Sequence, residues 1–345
     1  MAYTTINKST DYFDTKLYTG NASTLNITGL DFQPDLCWLK IRSAVDNHAL
    51  FDSVRGVKKR IASNLTAAEI NRATALTSFN SDGFTLGDNS ETNAPSGTYA
   101  SWNWKANGAG SSNTAGSTAT TVSVNTTAGF SIVKWTGTSG NTTIGHGLGV
   151  IPSVVIAKNT GGSGTNWVVY HKDLSSGYYI KLNLANAQDN ANAYFTADPT
   201  NSILSLTGNT AANSNGNNMI AYCFNDVQGY SKFGSYTGNG NADGTFVYTG
   251  FKPAWIMIKN ASSSSEEWNI WDNKRNPFNV MTTRLVANIT AADSVTSAGF
   301  FDFTSNGFKI RSTANGVNQS GNTLIYMAFA ENPFVTSTAI PATAR

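Results

Sequence analysis

The sequence predicts an all-β protein of three tandem β-sandwich, jelly-roll-like repeats with at most short helices. Three observations predict it. A block in which a proline precedes a lysine by six residues occurs three times. Short apolar strands alternate with frequent turn signals. Asn (40), Thr (42), Ser (35) and Gly (31) make up 148 of 345 residues, as turns with positive φ and pleated surfaces require.

The three copies align on their own residues. The first has Tyr18-Thr19-Gly20, then Pro34 and Lys40; the second Trp135-Thr136-Gly137, then Pro152 and Lys158; the third Tyr236-Thr237-Gly238, then Pro253 and Lys259. An aromatic and a polar residue follow each lysine, as Phe51-Asp52, Tyr170-His171 and Trp271-Asp272. Copies 1 and 3 share Asp-x-x-Arg, Asp52 with Arg55 and Asp272 with Arg275, and align without a gap from Arg60 to Phe84 and from Arg284 to Phe308. Each copy closes on an aromatic run ending in Trp104, Phe224 or Phe329. Copy 2 departs most in its middle. The expected boundaries are 1–110, 111–228 and 229–335, with a tail at 336–345. Residues 106–121 read as a linker or a surface strand entry.

Each element follows from local chemistry. Val154-Val155-Ile156-Ala157 and Trp255-Ile256-Met257-Ile258 are apolar on both faces, as strands in the middle of a two-layer core are. Gly161-Gly162-Ser163-Gly164 and Asn239 to Gly244 are turns. Thr66-Ala67-Ala68-Glu69 has capping-box spacing and predicts a short helix running to Leu76. The matching Thr290-Ala291-Ala292-Asp293 is weaker and reads as a turn.

The charge pattern excludes several classes. Charged residues are 13% of the chain, about half the usual ~25%. Yet 40% of residues are hydrophobic and eight are Trp, which excludes disorder. A balance of 23 basic to 21 acidic residues gives no basic face for nucleic acid. No apolar run is long enough to span a membrane, and the N-terminus is not expected to be a signal peptide.

No catalytic, cofactor or metal site is expected. His48, His146 and His171 are scattered and lack ligand spacing. Cys37 and Cys223 sit in apolar runs and read as small buried hydrophobes. Ile144-Gly145-His146-Gly147-Leu148-Gly149 lacks P-loop and dinucleotide spacing. Glu266-Glu267 reads as a solvated loop. The Asp-x-x-Arg pairs read as turn braces. Lys40, Lys158 and Lys259 end the same strand in each copy and are expected to lie along aromatics with their charge in water. Trp167 and Trp268 share a repeat position and lean towards packing. A sugar-stacking aromatic is expected at a non-repeated place instead.

Several stretches carry a family resemblance: Asp52-Ser53-Val54-Arg55-Gly56, Asn64 to Glu69, Phe79 to Leu86, Trp102 to Ala106, Ala128 to Val133, Gly145 to Val150 with Pro152, and Ala328 to Phe334. Together they resemble a repeat module of virion structural proteins from tailed bacteriophages, especially marine and cyanobacterial ones. The resemblance covers nearly the whole chain. It implies a virion location and a structural role as tail fibre, appendage or capsid decoration, with other virion proteins as partners. It supplies no catalytic residues. A charge-poor surface suits packing against identical copies, so a homo-oligomer is expected, a trimer by preference. A host surface glycan is a further expected partner. Residues before Tyr12 and after Phe334 are expected to carry assembly contacts.

Overall fold

The computed structural model describes residues 4–190, 192–333 and 335. The tail at 336–345 lies outside the described residues. The fold is all-β, with three four-residue helices among the described residues.

One strand order occurs three times. In unit 1 the large sheet runs Phe13–Thr19, Thr98–Trp104, Leu36–Ile41, Ala49–Asp52. Unit 2 repeats it as Phe130–Thr136, Asn218–Phe224, Val154–Asn159, Val168–His171, and unit 3 as Ser231–Thr237, Thr323–Ala330, Pro253–Asn260, Asn269–Asp272. Each unit adds a three-stranded sheet: Leu25–Ile27, Gly83–Leu86, Leu76–Asn80 in the first; Thr142–Gly145, Ile203–Leu206, Phe195–Ala197 in the second; Phe246–Tyr248, Gly307–Ile310, Phe301–Thr304 in the third.

Packing explains why the middle strands are apolar on both faces. Side chains alternate across a strand. Cys37 and Leu39 face a core between the two sheets of unit 1, and Leu36 and Trp38 face away from it. The same split places Val155 and Ala157 in the core of unit 2 and Ile256 and Ile258 in that of unit 3. The apolar outward side chains, from Trp38 to Ile156 to Met257, join one central core shared by all three units. The large sheets therefore close into a ring. At its centre Trp104, Phe224 and Phe329, which hold the same place in their strands, form a triangle with ring centroids 5.8–6.2 Å apart. The chain has pseudo-threefold symmetry within itself.

The helix expected from Thr66 to Leu76 is absent. Residues 66–69 form neither helix nor strand, and Ile70–Asn71 is a strand. The backbone groups a helix would pair internally are taken by unit 2: Thr66 O accepts from Gly164 N at 3.0 Å, and Glu69 N donates to Thr160 O at 2.9 Å. Tertiary hydrogen bonds override the local capping signal. The helices lie instead at Ser90–Asn93, Thr210–Asn213 and Asn315–Asn318. Asn89 and Asn209 cap the first two by accepting from Glu91 N and Ala211 N.

Those helices explain the Tyr/Trp-Thr-Gly motif. Their last residues, Asn93, Asn213 and Asn318, are fully buried. Each carboxamide oxygen accepts a backbone N–H just beyond the motif, from Asn21, Thr138 and Asn239, at 2.8–3.0 Å. The motif glycine touches the next residue of the helix exit. A Cβ on Gly20, Gly137 or Gly238 would lie 2.2, 2.0 or 2.3 Å from the carbonyl oxygen of Ala94, Ser214 or Gln319. We expect Gly137→Ala to destabilise the chain by about 1–3 kcal/mol, as overpacking does. A urea midpoint unchanged from wild type would contradict this.

The segment read as a linker is anchored at its start. The buried Asp35 carboxylate accepts from Ala106 N at 2.7 Å and Gly108 N at 3.0 Å. Ser111–Asn113 and Thr120–Asn125 then extend the large sheet of unit 2 beyond Phe130–Thr136.

Candidate functional site

The strongest concentration of buried polar groups lies where the units meet. Lys40, Lys158 and Lys259 do not keep their charge in water along aromatics: they are 1%, 0% and 0% exposed. Each Nζ donates to carbonyls, one of which belongs to the next unit. Lys40 reaches Thr290 O at 3.1 Å, Lys158 reaches Thr66 O at 3.3 Å, and Lys259 reaches Ala185 O at 2.9 Å. Unit 1 thus grips unit 3, unit 2 grips unit 1, and unit 3 grips unit 2. Within its own unit Lys40 finds the Ile41 carbonyl, Lys158 that of Thr165, and Lys259 those of Asn260, Ser263 and Glu266. Burial pushes all three amines down to about 8. A buried ammonium is tolerated only when hydrogen-bonded, and two carbonyls converge on Lys40, two on Lys158 and four on Lys259.

The same three junctions carry a second and a third lock. The residue before the fourth strand is His48, Trp167 or Trp268. Trp167 Nε1 donates to Ala62 O at 2.8 Å, Trp268 Nε1 to Lys181 O at 2.9 Å, and the His48 ring meets Val286 O at 2.9 Å. Trp38 Nε1 donates to His48 Nδ1 at 2.8 Å, so the His48 proton sits on Nε2 and points at Val286. The main chain adds Asp293 N to Arg42 O, Glu69 N to Thr160 O and Gln188 N to Ala261 O, all at 2.8–2.9 Å. A buried-edge carboxamide braces each corner: Asn64, Asn183 and Asn288 accept from the backbone N–H of His48, Trp167 and Trp268 at 3.0, 2.8 and 2.9 Å. Glu267, expected in a solvated loop, is half-buried and accepts from Asn288 Nδ2.

The Asp-x-x-Arg pairs sit at these corners too. Asp52 Oδ1 accepts from Val54 N and Arg55 N, and its Oδ2 faces Arg55 Nε at 2.5 Å. Asp272 treats Lys274 N, Arg275 N and Arg275 Nε in the same way. Each carboxylate also accepts from a neighbouring unit: Tyr222 Oη donates to Asp52 at 2.7 Å, and Trp102 Nε1 to Asp272 at 3.1 Å. Burial, and after it the Asp52 charge, holds the Tyr222 phenol protonated far above its ordinary range. At the third corner the partner position is Met327, which has no proton to give. There the aspartate and arginine are both replaced, and His171 meets the Tyr326 carbonyl at 3.3 Å. The departure of copy 2 is therefore matched to its neighbour.

The remaining singled-out residues are buried. Pro34, Pro152 and Pro253 are buried where their strands begin. His146 is buried, with Nδ1 accepting from Leu148 N and Nε2 facing Thr200 O at 3.1 Å. Cys37 and Cys223 are free, buried thiols. Among the described residues no His, Cys, Asp or Glu group is arranged to hold a metal ion, and no helix is long and apolar enough to cross a membrane.

The buried imidazoles set an acid limit. Burial, with the Lys40 charge adding to it, lowers His48 to about 3; burial lowers His171 to about 4. Both rings stay neutral when folded and would take a proton near pH 6.5 when unfolded. Their contribution is full above pH 6.5 and is lost as pH falls towards the folded values. Between pH 6.5 and 5 each ring should cost on the order of 2 kcal/mol of stability. His48→Gln should flatten part of that slope in urea titrations; an unchanged slope would contradict the assignment.

These features define an all-β protein whose three sandwich units close into a ring through buried polar locks. The chain belongs to the DUF7483 family, a domain of unknown function, whose match spans residues 8–333 and so takes in all three units together. No curated protein and no solved structure matches the chain.

Proposed function

We propose that the chain is a structural protein of a phage virion, a tail fibre or appendage that displays its β-sandwich units for host attachment. The observation that carries this reading is the ring itself: three sandwiches held by buried lysine, tryptophan and aspartate locks, with few charges left over for chemistry. Such a body is a rigid platform, with its strongly perturbed side chains engaged in holding units together. The sequence resemblance to phage virion modules points the same way. Immunogold labelling of purified particles tests the proposal. Gold on fibres or appendages is expected; unlabelled particles would overturn it.

A second reading, a capsid decoration or head-fibre protein, is favoured by one feature: among the described residues there is no shaft-like element, only the ring. Copy number separates the two. About six to eighteen copies per particle fit tail fibres, and tens to hundreds fit decoration. A homotrimer is the proposed assembly, and sedimentation equilibrium measures it directly.

A further inference from the structure

The three units can be compared at one place, the gap between the first strand of the large sheet and the loop that follows the first strand of the small sheet. In unit 1 Lys16 spans this gap. Its Nζ donates to Gly29 O at 2.6 Å and pairs with Asp14 at 2.9 Å. In unit 2 the added strand Thr120–Asn125 fills it so closely that a Cβ on Gly147 would lie 3.0 Å from Val122 Cγ1. In unit 3 no added strand lies beside Ser231–Thr237, and the Tyr326 ring covers the place of the Lys16 side chain, a Cβ on Gly234 falling 2.7 Å from its hydroxyl. The place of Lys16 is taken by Gly234, as the register of the two strands on Trp104 and Phe329 shows. A groove of about 420 Å³ remains, within the usual range of ligand sites, ~300–1,000 Å³.

The groove has the chemistry of a saccharide site. Tyr248 stands at its lip, 62% exposed. Register places it opposite Gly307, where units 1 and 2 carry the small residues Thr28 and Gly145. It is therefore a non-repeated aromatic, with no counterpart in the other copies and no place in a core. Gln228 is exposed, and its carboxamide has no hydrogen bond among the described residues. Asp226 receives Lys172 at 2.6 Å and Lys232 at 3.0 Å, so its carboxylate offsets one of two partly exposed ammonium charges. A second groove of about 380 Å³ adjoins the first, sharing Asp226 and Gln228, and is lined further by Thr4, Thr5, Thr126, Thr127 and Val227.

We infer that this elongated groove binds an oligosaccharide, with one pyranose ring stacked on Tyr248 and its hydroxyls met by Gln228, Lys232 and the threonine-lined extension. An aromatic body with a polar rim suits a ligand that has C–H faces and hydroxyl edges. Asp226 with its two lysines leaves one net positive charge beside the groove, which admits neutral and acidic sugars alike. The inference stands on the groove and not on placement in a virion: a chain that binds saccharide yet is absent from particles would overturn only the proposed function.

The experiment uses the full chain on an array of bacterial surface oligosaccharides, followed by titration calorimetry with the strongest binder. At least one array oligosaccharide should bind at millimolar concentration or below. Tyr248→Ala should weaken it about tenfold or more, as loss of a central aromatic anchor does. Tyr248→Phe should retain affinity within about twofold, and Thr28→Ala, at the equivalent place in unit 1, should change nothing. Thermal midpoints of all three variants should match wild type, because neither side chain is buried. No binder on the array, or a binder indifferent to Tyr248→Ala, would overturn the inference.

Discussion

Asp52→Ala should lower the unfolding free energy by about 3–5 kcal/mol, the usual cost of stranding one partner of a buried ion pair. The Arg55 side chain is 2% exposed and would lose the carboxylate at its Nε. The Tyr222 hydroxyl, which comes from another unit, would lose its acceptor as well. Asp272→Ala should cost a similar amount, because Arg275 and the Trp102 indole stand in the same relation to it. Removing both charges together, as Asp52→Leu with Arg55→Met, should recover part of the loss, since buried pairs often add little net stability over apolar residues. Guanidinium unfolding monitored by tryptophan fluorescence measures all three. A loss below about 1 kcal/mol for Asp52→Ala would mean that the corner is not a lock.

Trp104→Ala should be as damaging, by about 3–5 kcal/mol, the range for deleting a large buried aromatic. Trp104 is 2% exposed and packs edge-on against Phe224, Trp255 and Phe329, with centroids 5.8–6.2 Å away. Those neighbours belong to the other two units. The cavity would therefore open on the axis, where no single sandwich can collapse to fill it. Phe278→Ala is the control, since Phe278 is 81% exposed and should leave the midpoint unmoved.

Much of the fold could be read before the structure, and the rest was hidden for stated reasons. The apolar runs at Leu36, Val154 and Trp255 are legible as strands because both their faces are apolar. What they do not reveal is that the second face meets other units, because one-dimensional periodicity is the same for either partner. The lysines mislead for a related reason. A lysine at a strand end is ordinarily solvated, and only the ring brings the Thr66, Thr290 and Ala185 carbonyls to Lys158, Lys40 and Lys259. The absent helix has the same origin, since Thr66 and Glu69 spend their backbone groups on unit 2. Asn64, which the alignment of copies 1 and 3 matches to Asn288, has a counterpart in Asn183, and that match restores the alignment of copy 2 in its middle section. The groove at Tyr248 is not legible in the sequence, because a gap between loops leaves no mark there. The criterion that a sugar-stacking aromatic sits outside the repeated positions was nevertheless available.

The central claim is that the three units form one closed ring and stabilise one another across all three junctions. Scanning calorimetry of the full chain tests it most directly. A ring held by shared locks should melt in a single transition with calorimetric and van't Hoff enthalpies in agreement, and Trp104→Ala should shift that whole transition. Three resolved transitions, or a mutation in unit 1 that moves only one of them, would contradict it.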